Sequence, residues 1–186
     1  MNRFTVTNLP LDGMKRVQRQ YLGDHRGFLT RLFCAEELAA AGWVKSISQI
    51  NHTKTAKRGT VRGLHFQRQP FAEMKLVSCI RGEVWDVAVD LRTNSPTFLN
   101  WYAEVLSAEN GSALLIPEGF AHGFQALTED CEMLYCHSMP YSALSEFGLN
   151  PKDPFLNITW PLDISEMSTR DTAHLMINND FEGVQL

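Results

Sequence analysis

Short apolar segments separated by turn signals run through most of the chain, and this pattern constrains the fold more than any other feature. The candidate strands are Phe4–Thr7, Val44–Asn51, Thr60–Gln67, Leu76–Ile80, Val84–Leu91, Trp101–Leu106, Ala113–Ile116, Gly123–Leu127 and Glu132–His137. Many short strands at this spacing predict an all-β sandwich, jelly roll or barrel. A doubly wound sheet is disfavoured because it needs helices that alternate with the strands.

Two short segments carry helix signals. Ala35–Ala41 is one candidate, and a second helix is expected to begin near Ser168, with Asp171 at its third position as in a capping box. The segment Leu76–Arg92 predicts a β-hairpin, since Arg81–Glu83 has the composition of a turn between two apolar arms. The helices are therefore expected to flank a β structure and not to form its core.

Length and charge exclude several classes of protein. A chain of 186 residues corresponds to about one domain, and with no repeat or linker we expect a single domain over residues 1–186. The net charge of −4 gives no footprint for nucleic acid, and no apolar run is long enough to span a membrane. The N-terminus lacks an apolar secretion signal, and the four cysteines form no CxxC motif. We therefore expect a cytoplasmic protein with reduced thiols.

One predicted strand carries different chemistry on its two faces. Gly63, His65 and Gln67 alternate with Leu64 and Phe66, so the polar residues would share one face and the apolar residues the other. The polar face would then line a cavity while the apolar face packs. An exposed edge strand with a surface histidine is the alternative that this pattern leaves open.

A second cluster surrounds His122. The spacing Pro-x-Gly-x-x-His over residues 117–122 resembles the second conserved motif of cupins. A cupin metal site usually also needs a His-x-His motif, but the residue two positions after His65 is Gln67. Two well-placed histidines are too few for a metal site, so we predict no metal. A metal-dependent cupin isomerase or dioxygenase remains the alternative.

Four further side chains are ambiguous on the residue pattern alone. Lys75 precedes an apolar strand and would be its solvated end. Tyr135 and Tyr141 lie near a strand end, where aromatic residues usually pack. Asp171 would stabilise the start of a short helix. Their chemistry becomes specific only when they are considered together with the other clusters.

The order of these clusters along the chain is informative. The segments that carry it are Asp24–Gly27, Gln49–His52, Arg62–Gln67, Lys75–Val77, Gly82–Arg92, Ser95–Phe98, Ile116–Phe124, the Tyr135/Tyr141 pair, Asp153-Pro154, Trp160-Pro161 and Asp171. In this order they resemble the dTDP-4-dehydrorhamnose 3,5-epimerase family of cupin-like nucleotide-sugar epimerases. The resemblance implies a cupin-like jelly-roll barrel with short flanking helices, working as a homodimer without metal or cofactor. It also implies inversion of carbon 3, carbon 5 or both in a 4-keto-6-deoxy nucleotide-diphosphate sugar.

The resemblance assigns catalytic roles to four residues. A carbon-bound proton beside a ketone is a weak acid, so its removal needs a positioned base and a stabilised enolate. His65 matches the base, and histidine suits this role because imidazole titrates near neutral pH. Asp171 matches the carboxylate that orients the imidazole, and Lys75 matches the cation near the enolate oxygen. Tyr135 matches the acid that returns a proton on the opposite face.

The resemblance also assigns substrate-binding roles to polar and cationic side chains. Those expected at the diphosphate or the sugar oxygens are Arg62, His122 and Arg170, and those expected to line the site are Gln49, Asn51, Gln67 and Tyr141. Arg26 matches an arginine that reaches the nucleotide across the dimer interface. The expected partners are therefore a nucleotide-diphosphate 4-keto sugar and a second copy of the chain.

The chain departs from the family pattern at several positions. Leu29 and Arg31 stand where an aromatic residue and a glutamate are usual, and Leu99 replaces a usual glycine. Because of the charge reversal at Arg31, a guanosine or cytidine diphosphate sugar is an alternative substrate. In that alternative the enzyme would invert carbon 3 or carbon 5 alone. Glu73 stands where glutamine is common, and a carboxylate there would alter the setting of Lys75 or the fit of the sugar. A sugar-nucleotide binding module without turnover is a further alternative.

Overall fold

A computed structural model describes residues 2–186, which form thirteen strands and two short helices. In chain order the elements are β1 (Phe4–Asn8), β2 (Lys15–Arg19), β3 (Tyr21–Asp24), β4 (Gly27–Thr30), α1 (Ala35–Ala39), β5 (Gln49–Thr55), β6 (Val61–Gln67), β7 (Lys75–Arg81), β8 (Glu83–Asp90), β9 (Trp101–Ser107), β10 (Ser112–Ile116), β11 (Phe120–Ala126), β12 (Cys131–His137), β13 (Glu146–Gly148) and α2 (Thr169–Ala173).

The strands form two large antiparallel sheets and a small one. The first sheet has the order β1-β2-β10-β7-β12-β5, and the second has the order β13-β6-β11-β8-β9. From β5 to β8, and again from β9 to β13, the chain changes sheet at each connection. Within the described residues 2–186, the strands β3 and β4 pair only with each other. This alternation between two facing sheets gives a jelly roll, as the sequence predicts.

Apolar side chains from both sheets fill the space between them. Val77 and Met133 of the first sheet meet Ala88, Leu106 and Phe124 of the second in one buried cluster. Full burial of a Val, Leu, Phe or Met side chain stabilises the folded state by roughly 1.5–3 kcal/mol. This cluster occupies one end of the interior and leaves the other end to polar residues.

The outer faces of both sheets are covered as well. Leu38 of α1 and Trp43 after it pack on the first sheet, against a cluster that includes Val17 and Leu115. Residues 149–184 cross the outer face of the second sheet, where Leu149, Leu156 and Val184 join the outward-facing Leu64, Val87 and Val89. Strands such as β8 are therefore buried on both faces, which explains their nearly continuous apolar sequence.

The predicted hairpin over Leu76–Arg92 is wrong. Both arms are strands, but β7 belongs to the first sheet and β8 to the second. The turn at Gly82 therefore connects the two sheets and does not close a hairpin. Apolar alternation identifies a strand without identifying its partner. Because both faces of β8 are buried, either sheet would have satisfied the pattern.

The sequence missed strands that carry little apolar signal. These are β2, β3, β4 and β13, and the strand predicted at Val44–Asn51 lies instead at Gln49–Thr55. In β5, Gln49, Asn51 and Thr53 line a polar cavity while Ile50, His52 and Lys54 are exposed. With no face against apolar side chains, the strand shows no apolar alternation.

The second helix forms as predicted. The Ser168 hydroxyl accepts a hydrogen bond from the backbone N–H of Asp171 at 3.0 Å, so Ser168 caps α2 and places Asp171 in its first turn. Neither helix within residues 2–186 has the length and apolarity needed to cross a membrane.

A buried carboxylate organises the turn after β8. Asp90 is fully buried and accepts hydrogen bonds from the Arg92 guanidinium at 2.7 and 2.9 Å. The hydroxyls of Ser95 and Thr97 donate to the same carboxylate at 2.6 and 2.7 Å. Burial alone would raise the pKa of Asp90, but these donors hold it below its usual value. The Ser95–Phe98 segment therefore has a structural role in this turn.

Asp90→Asn should lower the free energy of unfolding by about 3 kcal/mol, because a neutral amide leaves buried donors unsatisfied. Urea denaturation at neutral pH measures this loss. The depressed pKa means that the Asp90 carboxylate stabilises the fold above the unfolded-state pKa, and that this stabilisation disappears as the pH falls through the folded-state value. The difference between the two proteins should therefore shrink in acid. Asp163→Asn, at an exposed carboxylate, is the matched control, and equal stability of Asp90→Asn and wild type would contradict the assignment.

Candidate active site

A cavity of about 510 Å³ opens between the two sheets at the polar end of the interior. This volume is in the range of small-molecule sites. The predicted site residues that line it are Gln49, Asn51, Arg62, His65, Gln67, Lys75, His122, Tyr135, Tyr141, Arg170 and Asp171. The structure thus brings together side chains that are far apart in sequence and that were selected as one site.

His65 and Asp171 form a hydrogen-bonded pair. His65 Nε2 lies 2.7 Å from Asp171 Oδ1, and the Gly63 N–H donates to the other carboxylate oxygen at 3.3 Å. Burial alone would raise the pKa of Asp171, but the hydrogen bond and charge of His65 hold it below its usual value. An ionised Asp171 fixes the proton of the neutral imidazole on Nε2 and leaves Nδ1 with a lone pair. The pair is therefore suited to general base catalysis.

Two facing glycines set the position of this pair. A Cβ on Gly63 would lie 2.5 Å from the Gly123 Cα and 2.8 Å from the His122 carbonyl oxygen. The backbones of β6 and β11 therefore approach more closely here than residues with side chains allow. The register shifts at this point, and His65 and His122 are paired across the two strands.

Lys75 connects the two sheets at the cavity. It is the first residue of β7, and its ammonium group donates to the His65 carbonyl oxygen on β6 at 3.2 Å. It also forms an ion pair with Glu73 at 3.1 Å, and both side chains are more than nine-tenths buried. The sequence left Lys75 open as a solvated strand end, and the structure instead places it inside the cavity.

Tyr135 faces His65 across the cavity. Tyr135 is on β12 of the first sheet, whereas His65 is on β6 of the second. The Tyr135 hydroxyl lies 3.5 Å from the Thr53 hydroxyl. Burial raises the pKa of Tyr135, and the charge of Asp86 adds to the effect. The phenol therefore stays protonated at neutral pH and can donate a proton.

His122 is paired with Asp86, an acid that the sequence analysis did not include in the site. Its Nε2 lies 3.0 and 2.9 Å from the two carboxylate oxygens of Asp86, and both residues are buried. Burial raises the pKa of Asp86, while His122 opposes the rise. The hydrogen bond fixes the orientation of the His122 ring in the cavity wall.

Cationic side chains line the mouth of the cavity. The Arg62 Nε donates to the Thr55 hydroxyl at 2.9 Å, and the Arg170 Nη1 donates to both carboxylate oxygens of Glu146 at 3.0 Å. The Arg170 guanidinium also lies 3.2 Å from His65 Nε2. These groups would attract an anionic ligand to the entrance.

Polar side chains in the cavity wall are held by one another and by the backbone. Gln49 donates to Asn51 at 3.0 Å and accepts from the Tyr141 N–H at 3.0 Å. Gln67 is buried, donates to two carbonyl oxygens at 3.0 and 3.2 Å, and accepts from the Ser142 N–H at 2.6 Å. Gln67 thus holds the loop after β12 in place.

Arg26 lies outside this cavity. It is in the turn between β3 and β4, where its guanidinium is largely exposed and pairs with Asp24 at 2.5 Å. Arg31, which reverses the usual charge of its position, is paired with Glu37 of α1. The reversed charge is therefore neutralised locally.

Within residues 2–186, one group of side chains brings possible metal ligands together. The nitrogen and oxygen atoms of His65, Asp171 and His174 lie within 4.8 Å of one another. Two of these side chains are already joined by the 2.7 Å hydrogen bond described above. The group does not include His122, the second histidine of the cupin-like motif. The expected absence of a metal stays a prediction.

Sequence reasoning left several cavity residues out of the site, and for two of them a signal was present. His137 is two residues after Tyr135 on the same strand, so both side chains point to one face. Glu73 was noted as a departure from the family pattern, but its place in the cavity wall came from the structure. The cavity also includes Thr53, Glu146 and Ser168.

Comparison with known proteins identifies the family. The dTDP-4-dehydrorhamnose 3,5-epimerase family matches residues 8–179. The chain belongs to the dTDP-4-dehydrorhamnose 3,5-epimerase family. A curated family member from Shigella flexneri is 45% identical over 150 residues, covering 80% of this chain and 82% of the relative.

Two solved structures of such epimerases have the same fold. One from Bacillus anthracis, with TDP and PPi bound, has a TM-score of 0.90 and 37% identity, covering 94% of this chain and 99% of that one. One from Legionella pneumophila, in complex with dTDP-4-keto-L-rhamnose, has a TM-score of 0.88 and 38% identity, covering 93% and 92%. The family resemblance and the cupin-like fold are therefore confirmed, and this epimerase is an isomerase that acts on a nucleotide sugar.

Gly63→Ala should separate β6 from β11 and lower the free energy of unfolding of the epimerase by about 2 kcal/mol, as expected for overpacking. Gly63 has a φ of +122°, so part of any loss would come from backbone strain. Gly27→Ala is the control for that part, because Gly27 has a φ of +128° and nothing lies within 4 Å of its added Cβ. Equal stability losses in the two variants, measured by urea denaturation, would show that the close approach contributes nothing.

Proposed function

We propose that this epimerase inverts carbon 3 and carbon 5 of a thymidine-diphosphate-linked 4-keto-6-deoxy sugar. The observation that carries the proposal is the placement of His65 and Tyr135 on opposite sheets across one cavity, with Lys75 between the sheets. Inversion requires a base and an acid on opposite faces of the sugar ring. A ring lying between the two sheets would meet one group on each face.

In the proposed first step, His65 takes the proton from the carbon beside the ketone. The electron pair of the broken C–H bond moves into the enolate, whose oxygen carries the developing negative charge. Lys75 stabilises that charge, since a fixed ammonium in a buried site interacts strongly with an oxyanion. Asp171 stabilises the imidazolium that forms on His65.

In the second step, Tyr135 gives a proton to the opposite face of the same carbon. Burial raises the pKa of Tyr135, so the phenol carries its proton before this step. One C–H bond breaks and one forms, and the electrons stay within the sugar. His65 then releases its proton to solvent and Tyr135 regains one, so the proton balance closes without a metal or a redox cofactor, and we propose that none is needed.

We place the diphosphate at the mouth of the cavity, near Arg62 and Arg170. Guanidinium groups match phosphate oxygens in geometry and charge. His122, Gln49, Asn51, Gln67 and Tyr141 are proposed to surround the sugar. The hydrogen bonds of Gln67 to the backbone favour a role in shaping this part of the wall.

Two observations favour thymidine over guanosine or cytidine in the nucleotide. The curated relative from Shigella flexneri is named for a dTDP sugar, and the Bacillus anthracis structure has TDP bound. The pairing of Arg31 with Glu37 removes the argument that a reversed charge selects another base. Leu29 is exposed on β4.

The four cysteines support a cytoplasmic location for the enzyme. Cys34, Cys79, Cys131 and Cys136 are all free thiols. Free thiols persist in reducing compartments, whereas exported proteins commonly form disulfides. Cys131 and Cys136 are five residues apart on β12, so their side chains point to opposite faces of the sheet and do not form a bridge.

Proton NMR in deuterated water tests the proposed reaction directly. With a thymidine diphosphate 4-keto-6-deoxy sugar, we expect loss of the signals of the protons at carbon 3 and carbon 5. Loss at one carbon alone would identify a monofunctional epimerase, and turnover only of the guanosine or cytidine analogue would correct the nucleotide. Binding without exchange would indicate a module without turnover. Loss of activity on chelation, with stoichiometric metal in the protein, would favour a metal-dependent cupin.

Two variants separate the roles of base and acid in the same assay. His65→Ala should abolish exchange, since it removes the group that takes the proton. Tyr135→Phe should retain exchange but lose inversion, because His65 can return a deuteron to the face from which it took the proton. Inverted product from Tyr135→Phe at the wild-type rate would exclude Tyr135 as the acid.

We also propose a homodimer in which Arg26 completes the partner's site. The hairpin of β3 and β4 stands apart from both large sheets and exposes Leu22, Phe28 and Leu29, an apolar surface that a second copy would cover.

Sedimentation velocity should show a dimer, and Phe28→Glu should convert it to a monomer. Arg26→Ala should stay dimeric and raise KM for the nucleotide sugar with little change in kcat, because it removes binding away from the reacting carbon. A wild-type monomer with full activity would contradict this arrangement.

A further inference from the structure

A second buried acid and imidazole lie beside the proposed catalytic ammonium. Glu73 Oε1 accepts from the Lys75 ammonium at 3.1 Å, and Glu73 Oε2 accepts from His137 Nδ1 at 2.9 Å. The side chains of Lys75 and Glu73 are 8% and 9% exposed, and that of His137 is 11% exposed. All three line the cavity. The mechanism proposed above uses only Lys75.

We propose that Glu73 and His137 are positioning residues that hold the Lys75 ammonium at the enolate oxygen. This inference rests on the proposed function and extends it to two residues for which that mechanism has no role. Glu73 acts on Lys75, and His137 acts on Glu73.

The donor count of the ammonium group supports this role. A lysine ammonium has three protons. The structure shows two acceptors for Lys75 within residues 2–186, the Glu73 carboxylate and the His65 carbonyl oxygen. The remaining N–H is left for the substrate oxygen. The lysine side chain is flexible, and two hydrogen bonds restrict it before the substrate reacts. It therefore loses less conformational entropy when the enolate forms, because its ammonium group is already oriented.

The charges explain why His137 accompanies the acid. A lone carboxylate beside a developing enolate would repel it, and a buried carboxylate needs a donor for each oxygen. His137 supplies the second donor. Burial alone would raise the pKa of Glu73, but the Lys75 ammonium and the His137 imidazole hold it below its usual value. Glu73 is therefore ionised while it holds Lys75.

His137 is itself held in the cavity wall. Its ring stacks on Tyr135, with ring centroids 6.0 Å apart and planes 23° apart. Its Nε2 lies 3.5 Å from the Asn51 amide nitrogen on the neighbouring strand β5. The imidazole therefore has little freedom to leave Glu73.

The test compares kcat and KM of matched variants in the deuterium-exchange assay. Glu73→Ala should lower kcat by about tenfold or more with KM nearly unchanged, because misplacing a catalytic group affects the transition state more than binding. Glu73→Gln should restore kcat to within about threefold of wild type, since the amide oxygen can still accept from Lys75.

A double variant tests the order of action. His137→Ala should lower kcat in the wild type but should add nothing in the Glu73→Ala background, because His137 acts through Glu73. The matched control is His52→Ala, which removes an exposed imidazole paired with Glu132 at 2.8 Å outside the cavity and should leave kcat unchanged.

Three outcomes would overturn the inference: unchanged kcat in Glu73→Ala, equal losses in Glu73→Gln and Glu73→Ala, or additive losses in the double variant. If wild type turns over no 4-keto nucleotide sugar, the proposed function fails, and acetylation of Lys75 by acetic anhydride decides the positioning role. Mass spectrometry should then show slow acetylation in wild type and Glu73→Gln, and at least about threefold faster acetylation in Glu73→Ala. Equal rates would reject the inference independently of activity.

Discussion

Pairing of buried charges is the constraint on which the cavity depends. A charge removed from water between two sheets is tolerated only beside an opposite charge or several hydrogen-bond donors. Asp171 meets this need through His65, Asp86 through His122, and Glu73 through Lys75 and His137. Glu73 and Lys75 are only two residues apart, but the other pairs join distant parts of the chain. The groups that would perform the chemistry therefore also hold the polar end of the interior together.

The apolar part of the molecule makes this polar cavity possible. Both outer faces of the jelly roll are covered, the first sheet by α1 and the loop after it and the second by residues 149–184. Part of the space between the sheets can therefore remain open as a cavity, because both sheets still bury large apolar surfaces on their outer faces. The same C-terminal covering segment carries α2, which delivers Asp171 to His65. One segment, residues 149–184, thus both covers the second sheet and supplies Asp171 to the site.

Sequence reasoning succeeded where a single local pattern indicated both a strand and its functional residues. The alternation of His65 and Gln67 with Leu64 and Phe66 predicted a cavity face and a packing face, and both exist. It failed where a strand had no apolar face, as in β5, and where partners had to be chosen, as for β7 and β8. Strand pairing depends on which faces other segments cover, and that information is not local.

The sequence by itself determined the family, the all-β class and most residues of the candidate site, because residue types recur in a characteristic order and spacing. The resemblance implied the contact between His65 and Asp171, but the tertiary structure alone decided other contacts in the cavity. Glu73 and His137 are 64 residues apart, and Asp86 and His122 are 36 apart. Their contacts arise because strands distant in sequence become neighbours in the sheets, and a hydrogen bond depends on that distance in space and not on separation along the chain.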